Sequence, residues 1–139
     1  MSIETKFVQD NLVYSRKGVL RGLHYQHPHS QAKLIQVMIG KIFDVAVDIR
    51  KESPTFSKWV GAILSESNQK QLFIPTGFAH GYCVLSEAAL VIYKCSSVYS
   101  PENEKGILWN DKSVRINWPV QNPIISPKDL NLPSFKELA

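Results

Sequence analysis

The strongest constraint on this chain is an alternation of period two. In Lys41–Arg50, Phe43, Val45, Val47 and Ile49 fall on one side and Ile42, Asp44, Ala46 and Asp48 on the other, the pattern of a pleated strand. Leu34–Ile39 is an apolar run broken only by Gln36, and Gly40 allows a turn before the next strand. Trp59–Leu64 reads as another strand, followed by a turn at Ser65–Asn68, and Gln71–Pro75 as a short one stopped by proline. Gly81–Leu85 and Ala89–Ser96 flank Ser86-Glu87 and are expected to form a hairpin. Trp109-Asn110-Asp111 and Trp118-Pro119 punctuate loops. The one helix signal is Ser126-Pro127-Lys128-Asp129: a serine N-cap, a proline at the first helical position and an acid in the first turn. No repeat, low-complexity tract or linker divides residues 1–139. The expectation is one all-β domain, a sandwich or barrel with a short C-terminal helix.

Composition narrows the functional classes. With 139 residues and 44% hydrophobic side chains the chain suits one folded domain. No uncharged apolar stretch approaches the 18 residues of a membrane helix, so no membrane association is expected. No basic segment leading into an apolar one opens the chain, so no signal peptide is expected. Cys83 and Cys95 are too few for a disulfide framework and read as small buried hydrophobes. A cytoplasmic compartment is the simplest expectation. Sixteen Lys+Arg against twelve Asp+Glu leave +4. The cations are spread along the chain, which fits an acidic small molecule such as a nucleotide better than a nucleic acid.

Four histidines, His24, His27, His29 and His80, are the first candidates for chemistry. His27-Pro28-His29 has the spacing of a strand pair on one face, a metal-like arrangement. Pro75-Thr76-Gly77-Phe78-Ala79-His80 resembles the second motif of the cupin superfamily. The first cupin motif calls for a glutamate shortly after His29, where Ser30, Gln31, Ala32 and Lys33 stand instead. A lysine there repels a cation, so no metal is expected, and a metal-dependent cupin using the four histidines is the lesser reading. The alternative is general-base chemistry, for which histidine needs little tuning. Arg21 and His24 are three apart, so in a straight strand they face opposite ways. A bend at Gly22 is needed to bring both to one pocket. Taken singly, these residues have plainer readings: Arg21 a surface charge, Lys33 a solvated strand end, Tyr93 a core residue in line with Val91 and Cys95, Asp129 a helix start. Asp44 and Asp48 read as a solvated or hydrogen-bonded face.

Longer blocks carry a resemblance. Phe7-Val8-Gln9-Asp10-Asn11, Gly18 through Gln26 (GVLRGLHYQ), Phe43 through Asp48 (FDVAVD), Ser53-Pro54-Thr55-Phe56, Ile74-Pro75, Gly77 through Gly81 (GFAHG) and Tyr93-Lys94-Cys95 together resemble the dTDP-4-dehydrorhamnose 3,5-epimerases, metal-free cupins of deoxysugar biosynthesis. The match runs from about Phe7 to Asp129. It implies a cupin-type jelly roll, a homodimer, a nucleotide-sugar substrate and no cofactor. It also implies roles: His24 as the base that removes a proton next to the ketone, Asp129 as the carboxylate that holds it, Lys33 beside the enolate oxygen, and Tyr93 as the acid on the opposite face. For binding it implies Arg21 on phosphate, Gln9 and Asn11 on a nucleotide-site strand, and His80, Tyr99 and Lys128 around the pocket.

The chemistry suits this set. A C–H beside a ketone is less acidic than imidazolium by more than about ten pKa units, so a base alone is insufficient, and a cation near the ketone oxygen supplies the missing stabilisation. Inversion needs a separate acid on the far face. C3 and C5 both flank the C4 ketone, so one constellation can serve both. The expected function is epimerisation of a nucleotide-linked 4-keto-6-deoxyhexose at C3, C5 or both. A single-centre epimerase, one for another nucleotide sugar, and a non-catalytic sugar-nucleotide-binding or partner-binding jelly roll are the alternatives. One departure bears on substrate choice. Family members usually carry some tens of residues ahead of the Phe7–Asn11 strand, with an Arg-Gly-x-Phe-x-Glu type segment that helps bind the nucleotide partly across the dimer. This sequence opens six residues before Phe7, which puts a preference for dTDP in question and is expected to expose a sheet edge. The loop His27-Pro28-His29-Ser30 is also shorter and richer in histidine than is typical.

Overall fold

The computed structural model describes residues 2–138. Nine strands are present: β1 Gln9–Arg16, β2 Leu20–Gln26, β3 Lys33–Ile39, β4 Lys41–Asp48, β5 Trp59–Ser65, β6 Gln71–Ile74, β7 Phe78–Val84, β8 Ala88–Cys95 and β9 Glu104–Gly106. One four-residue helix, α1 Pro127–Leu130, follows. The strands form two antiparallel sheets, in the orders β1-β8-β3-β6 and β5-β4-β7-β2-β9. β4 pairs with β5, β3 with β6, β2 with β7 and β1 with β8. The first eight strands therefore make one long antiparallel hairpin wound across two facing sheets, which is the jelly roll.

The winding corrects one expectation. β7 and β8 do not form a hairpin, because β7 lies in the five-stranded sheet and β8 in the other. Leu85–Glu87 instead carries the chain from sheet to sheet, as Gly40 does between β3 and β4. The two corners pack on each other: the Lys41 N–H donates to Ser86 Oγ (2.9 Å) and the Leu85 N–H to the Lys41 carbonyl (2.9 Å). A Cβ on Gly40 would fall 2.1 Å from the Ala88 carbonyl oxygen. Two-fold periodicity reports a strand but not which sheet receives it.

β4 is buried on both faces. Ile42 and Ala46 join Ile35, Val37, Leu64, Ile74, Val84, Ala89 and Val91 between the sheets. Val45 and Val47 pack on the other side with Leu23, Ala79, Ile107, Val114 and Phe135. That second layer comes largely from the long coil after β9. The buried Asp111 carboxylate pins the coil, accepting N–H groups of Ser113 (2.8 Å), Val114 (3.1 Å) and Phe135 (2.7 Å). The coil delivers α1, whose cap is the expected one: Ser126 Oγ accepts the Asp129 N–H at 3.2 Å, with Pro127 at the first position. Asp44 and Asp48 are fully buried rather than solvated. Asp48 is satisfied by Arg50, Ser53 and Thr55, and Asp44 is bonded to His80.

Gly22 sets the course of β2. The pairing of β2 with β7 shifts register between Arg21 and His24, and Gly22 has φ of 119°, a conformation that disfavours side chains. A Cβ there would lie 2.7 Å from both Gly81 Cα and the His80 carbonyl oxygen, backbone atoms that cannot step aside. Gly22→Ala is therefore expected to destabilise the fold by about 2–3 kcal/mol, measured by urea unfolding. A variant as stable as the parent would contradict this account of the bulge.

Candidate active site

The bulge does what the three-residue spacing of Arg21 and His24 requires. Both side chains turn to the inner face, where cross-strand rows cover the five-stranded sheet. Arg21, Tyr82 and Asp44 form one row, and His24, His80 and Ala46 the next. Facing them across the gap are Gln9 and Asn11 of β1, Lys33 of β3 and Tyr93 of β8. A cavity of about 440 Å³ opens between the two walls. All ten residues singled out in the sequence line it: His24, Lys33, Tyr93 and Asp129, with Gln9, Asn11, Arg21, His80, Tyr99 and Lys128.

His24 and Asp129 meet directly in the cavity. His24 Nε2 stands 2.6 Å from Asp129 Oδ1, and the Gly22 N–H donates to Oδ2 at 3.0 Å. Burial acts to raise the Asp129 carboxyl, but the bonds from His24 and Gly22 outweigh it and hold the group below the usual carboxylate range. Asp129 is buried and His24 half-exposed to the cavity. On the opposite wall Lys33 Nζ lies 5.8 Å from the centre of the Tyr93 ring. Burial lowers the Lys33 ammonium below the ordinary lysine value, against the pull of Cys95, Asp44 and Glu104. Burial raises the Tyr93 phenol, which keeps its proton.

A second His–Asp pair lies deeper. His80 Nε2 is 2.7 Å from Asp44 Oδ1, and both residues are buried. Burial lowers the His80 imidazolium; Asp44 opposes this, and the nearby Lys33 and His24 charges add to it. The His80 ring meets the edge of Tyr93 at 6.3 Å. At the mouth, Glu104 of β9 accepts from the Tyr99 hydroxyl and, at 2.9 Å, from Lys128 Nζ. Burial acts to raise Glu104, but these bonds prevail and lower it, and Glu104 in turn raises Lys128. Gln9 Oε1 accepts the Tyr99 N–H at 2.7 Å, fixing the other end of that tyrosine.

Tyr82 and Glu104 are among the cavity-lining residues that sequence reasoning missed as site residues, and Asp44, buried behind the lining and bonded to His80, is another residue it missed. Asp44 was legible only as one of two acids on a strand face. Tyr82 sits in an apolar run, and Glu104 in a loop whose path nothing local indicates. His27 and His29 do not join the cavity. They are exposed in the bend after β2 rather than paired on a strand, and His29 has φ of 64°. Among the described residues no three His, Cys, Asp or Glu side chains converge as metal ligands would. Nor is any helix among them long and apolar enough to cross a membrane.

Fold and site together define a class, a cupin-type jelly roll whose titratable side chains line the space between its sheets. Residues 1–137 match the dTDP-4-dehydrorhamnose 3,5-epimerase family. The dTDP-4-dehydrorhamnose 3,5-epimerase of Shigella flexneri is 59% identical over 133 residues, 95% of this chain and 74% of that protein. A crystal structure of the Legionella pneumophila dTDP-6-deoxy-D-glucose-3,5-epimerase in complex with dTDP-4-keto-L-rhamnose superimposes with a TM-score of 0.94. It shares 50% identity, over 98% of this chain and 75% of that one. The Bacillus anthracis dTDP-4-dehydrorhamnose 3,5-epimerase with TDP and PPi bound gives a TM-score of 0.93 at 53% identity, over 95% and 77% of the two chains. This chain belongs to the dTDP-4-dehydrorhamnose 3,5-epimerase family.

If the Glu104 bonds anchor Lys128 and Tyr99 as the geometry indicates, Glu104→Ala is expected to raise KM for a diphosphate-bearing substrate several-fold, on the order of the loss of one charge-assisted hydrogen bond. Steady-state kinetics with kcat and KM resolved checks this, and an unchanged KM would contradict it.

Proposed function

We propose that this chain inverts C3 and C5 of dTDP-4-dehydro-6-deoxyglucose, giving dTDP-4-dehydrorhamnose for deoxysugar and surface-polysaccharide synthesis. The observation that carries this reading is the opposition of the two walls: the His24–Asp129 pair projects from one side, and Lys33 and Tyr93 from the other. A hexose ring between them has a base on one face and an acid on the other, which is what inversion requires.

The ionised Asp129 accepts a hydrogen bond from His24 Nε2–H, which leaves Nδ1 as the basic nitrogen and stabilises the imidazolium that forms. His24 takes the proton from the carbon next to the C4 ketone. The electron pair moves onto the ketone oxygen, where the buried Lys33 meets the developing charge. Tyr93 then gives a proton to the carbon from the other face. Proton exchange with solvent returns His24 to the neutral imidazole and Tyr93 to the phenol, and repetition at the second carbon flanking the ketone completes the double inversion. No electrons are gained or lost between substrate and product, so the chemistry calls for no redox group. Arg21 and Lys128 bring positive charge for the diphosphate, and Gln9, Asn11 and Tyr99 serve the nucleotide.

A homodimer is the second part of the proposal. On the outer face of the four-stranded sheet, Leu12 and Tyr14 of β1 and Ile39 of β3 are 64%, 62% and 50% exposed, with half-buried Leu90 and Ile92 of β8 beside them. An apolar sheet face of this kind suits a second copy of the chain.

With dTDP-4-dehydro-6-deoxyglucose as substrate, His24→Ala is expected to lower kcat by about two to four orders of magnitude with the fold intact, and Lys33→Met by about two to three. Near-normal turnover in the His24 variant would overturn the mechanism. Sedimentation of Leu12→Glu is expected to show a shift from dimer to monomer, and a parent protein that sediments as a monomer would remove the dimer proposal.

A further inference from the structure

Gln26 ends β2 and lines the cavity with only 4% of its surface exposed, and the scheme above gives it no part. A buried amide must find partners for its two N–H groups and its oxygen. Gln26 finds all of them in backbone. Nε2 donates to the His29 carbonyl at 2.7 Å and to the Val98 carbonyl at 3.1 Å, and Oε1 accepts the Ser100 N–H at 3.0 Å. The opposite orientation would set the amide oxygen against two carbonyl oxygens, so the partners fix which way round it lies. Two of the three bonds fall on either side of Tyr99. That residue stands outside any strand, between the end of β8 at Cys95 and the single turn Pro101–Asn103, and is 48% exposed. Apolar burial therefore does little to hold it. Polar bonds do: Gln26 takes the carbonyl before it and the N–H after it, Gln9 Oε1 takes its own N–H, and Glu104 takes its hydroxyl.

We propose that Gln26 is a positioning residue for nucleotide binding, which pre-sets the Tyr99 ring at the cavity by clamping the backbone on both sides of it. The inference rests on the reading of Tyr99 as a nucleotide contact. A ring already in place when the ligand arrives spares the cost of ordering it, and that saving appears as affinity. Burial suits Gln26 to the task, because water competes little for bonds made away from solvent. Its place on the strand suits it as well. His24 and Gln26 are two apart and share a face of β2, so one strand carries both the proposed base and the support of the nucleotide contact, and fixes the distance between them. Other bonds tie the root of the same stretch to the bend after β2: Gln31 Nε2 donates to the Ser97 carbonyl at 2.8 Å, and Ser97 Oγ to the Ser30 carbonyl at 3.1 Å. These stop short of Tyr99, and from this side Gln26 is what reaches its neighbours.

The test is a double-mutant cycle on the full chain: parent, Gln26→Met, Tyr99→Ala and the double variant, read by titration calorimetry with dTDP and by steady-state kinetics with dTDP-4-dehydro-6-deoxyglucose. Amide hydrogen exchange of the parent without ligand accompanies it. Gln26→Met is expected to raise the dTDP Kd and the KM about tenfold, with kcat changed far less, and to add nothing to the loss already present in Tyr99→Ala. In the free parent the Tyr99 and Ser100 amides are expected to exchange slowly although Tyr99 stands at the surface. Exchange of both at the rate of an open chain would overturn the clamp whether or not the Gln26 variant folds. An unchanged Kd in Gln26→Met, or the same loss with and without the Tyr99 ring, would overturn it while leaving Tyr99 as a nucleotide contact. A Tyr99→Ala variant that binds dTDP as the parent does would overturn the reading of Tyr99, and the inference with it.

Discussion

The contact between His24 and Asp129 is the point on which the rest of the structure bears. The two residues are 105 positions apart, and their side chains meet at 2.6 Å. One lies on a strand in the middle of a sheet and the other on a single turn of helix at the end of a long coil. Neither position is self-supporting. β2 must break register at Gly22 for His24 to face inward, and the freed Gly22 N–H then becomes the second ligand of the same carboxylate. The coil must be fastened by Asp111 and Phe135 before α1 can present its acid. The Ser126 cap fixes the turn that aims it. Loss of any of these supports loosens His24, which the proposed role as base requires to be held within fractions of an ångström.

Opposition of the sheets supplies the rest. A jelly roll places two walls face to face, and strands of different sheets approach a bound ring from opposite sides. The charges are distributed accordingly. Asp129, bonded to the proposed base, is held ionised, whereas Lys33, the proposed cation for the oxyanion, sits in a wall where burial weakens its hold on its proton. An ammonium poorly solvated in the free protein gains most when negative charge develops beside it, so the desolvation of Lys33 is offset at the step that needs it. The deeper His80–Asp44 pair adds a second bonded imidazole against the Tyr93 ring.

Much of this was legible before the fold was known. Alternation marked β4, and short apolar runs bounded by turn residues marked β3 and β5 through β8, with β7 starting three residues earlier than read. The Ser-Pro-Lys-Asp signature marked α1, because capping is a local transaction. Bringing Arg21 and His24 together was readable as a need for a bend at Gly22. What escaped the sequence is long-range. Ser86-Glu87 reads as a hairpin because turn chemistry is the same whether the next strand joins this sheet or the facing one. Glu104 gains its meaning from Lys128, a partner that the coil after β9 brings back from 24 positions on. His27 and His29 illustrate the reverse error, a suggestive spacing that the chain spends on an exposed bend.

The most direct test of the opposed-wall mechanism counts protons. The chain is incubated with dTDP-4-dehydro-6-deoxyglucose in heavy water, and solvent-derived deuterium at C3 and C5 is read by NMR against a sample without protein. Protein-dependent label at both carbons, with both centres inverted, is the result this account requires. Label at C3 alone would reduce the chain to a single-centre epimerase. Label without inversion would mean that proton removal and return occur from one face, and would contradict the division of labour between His24 and Tyr93.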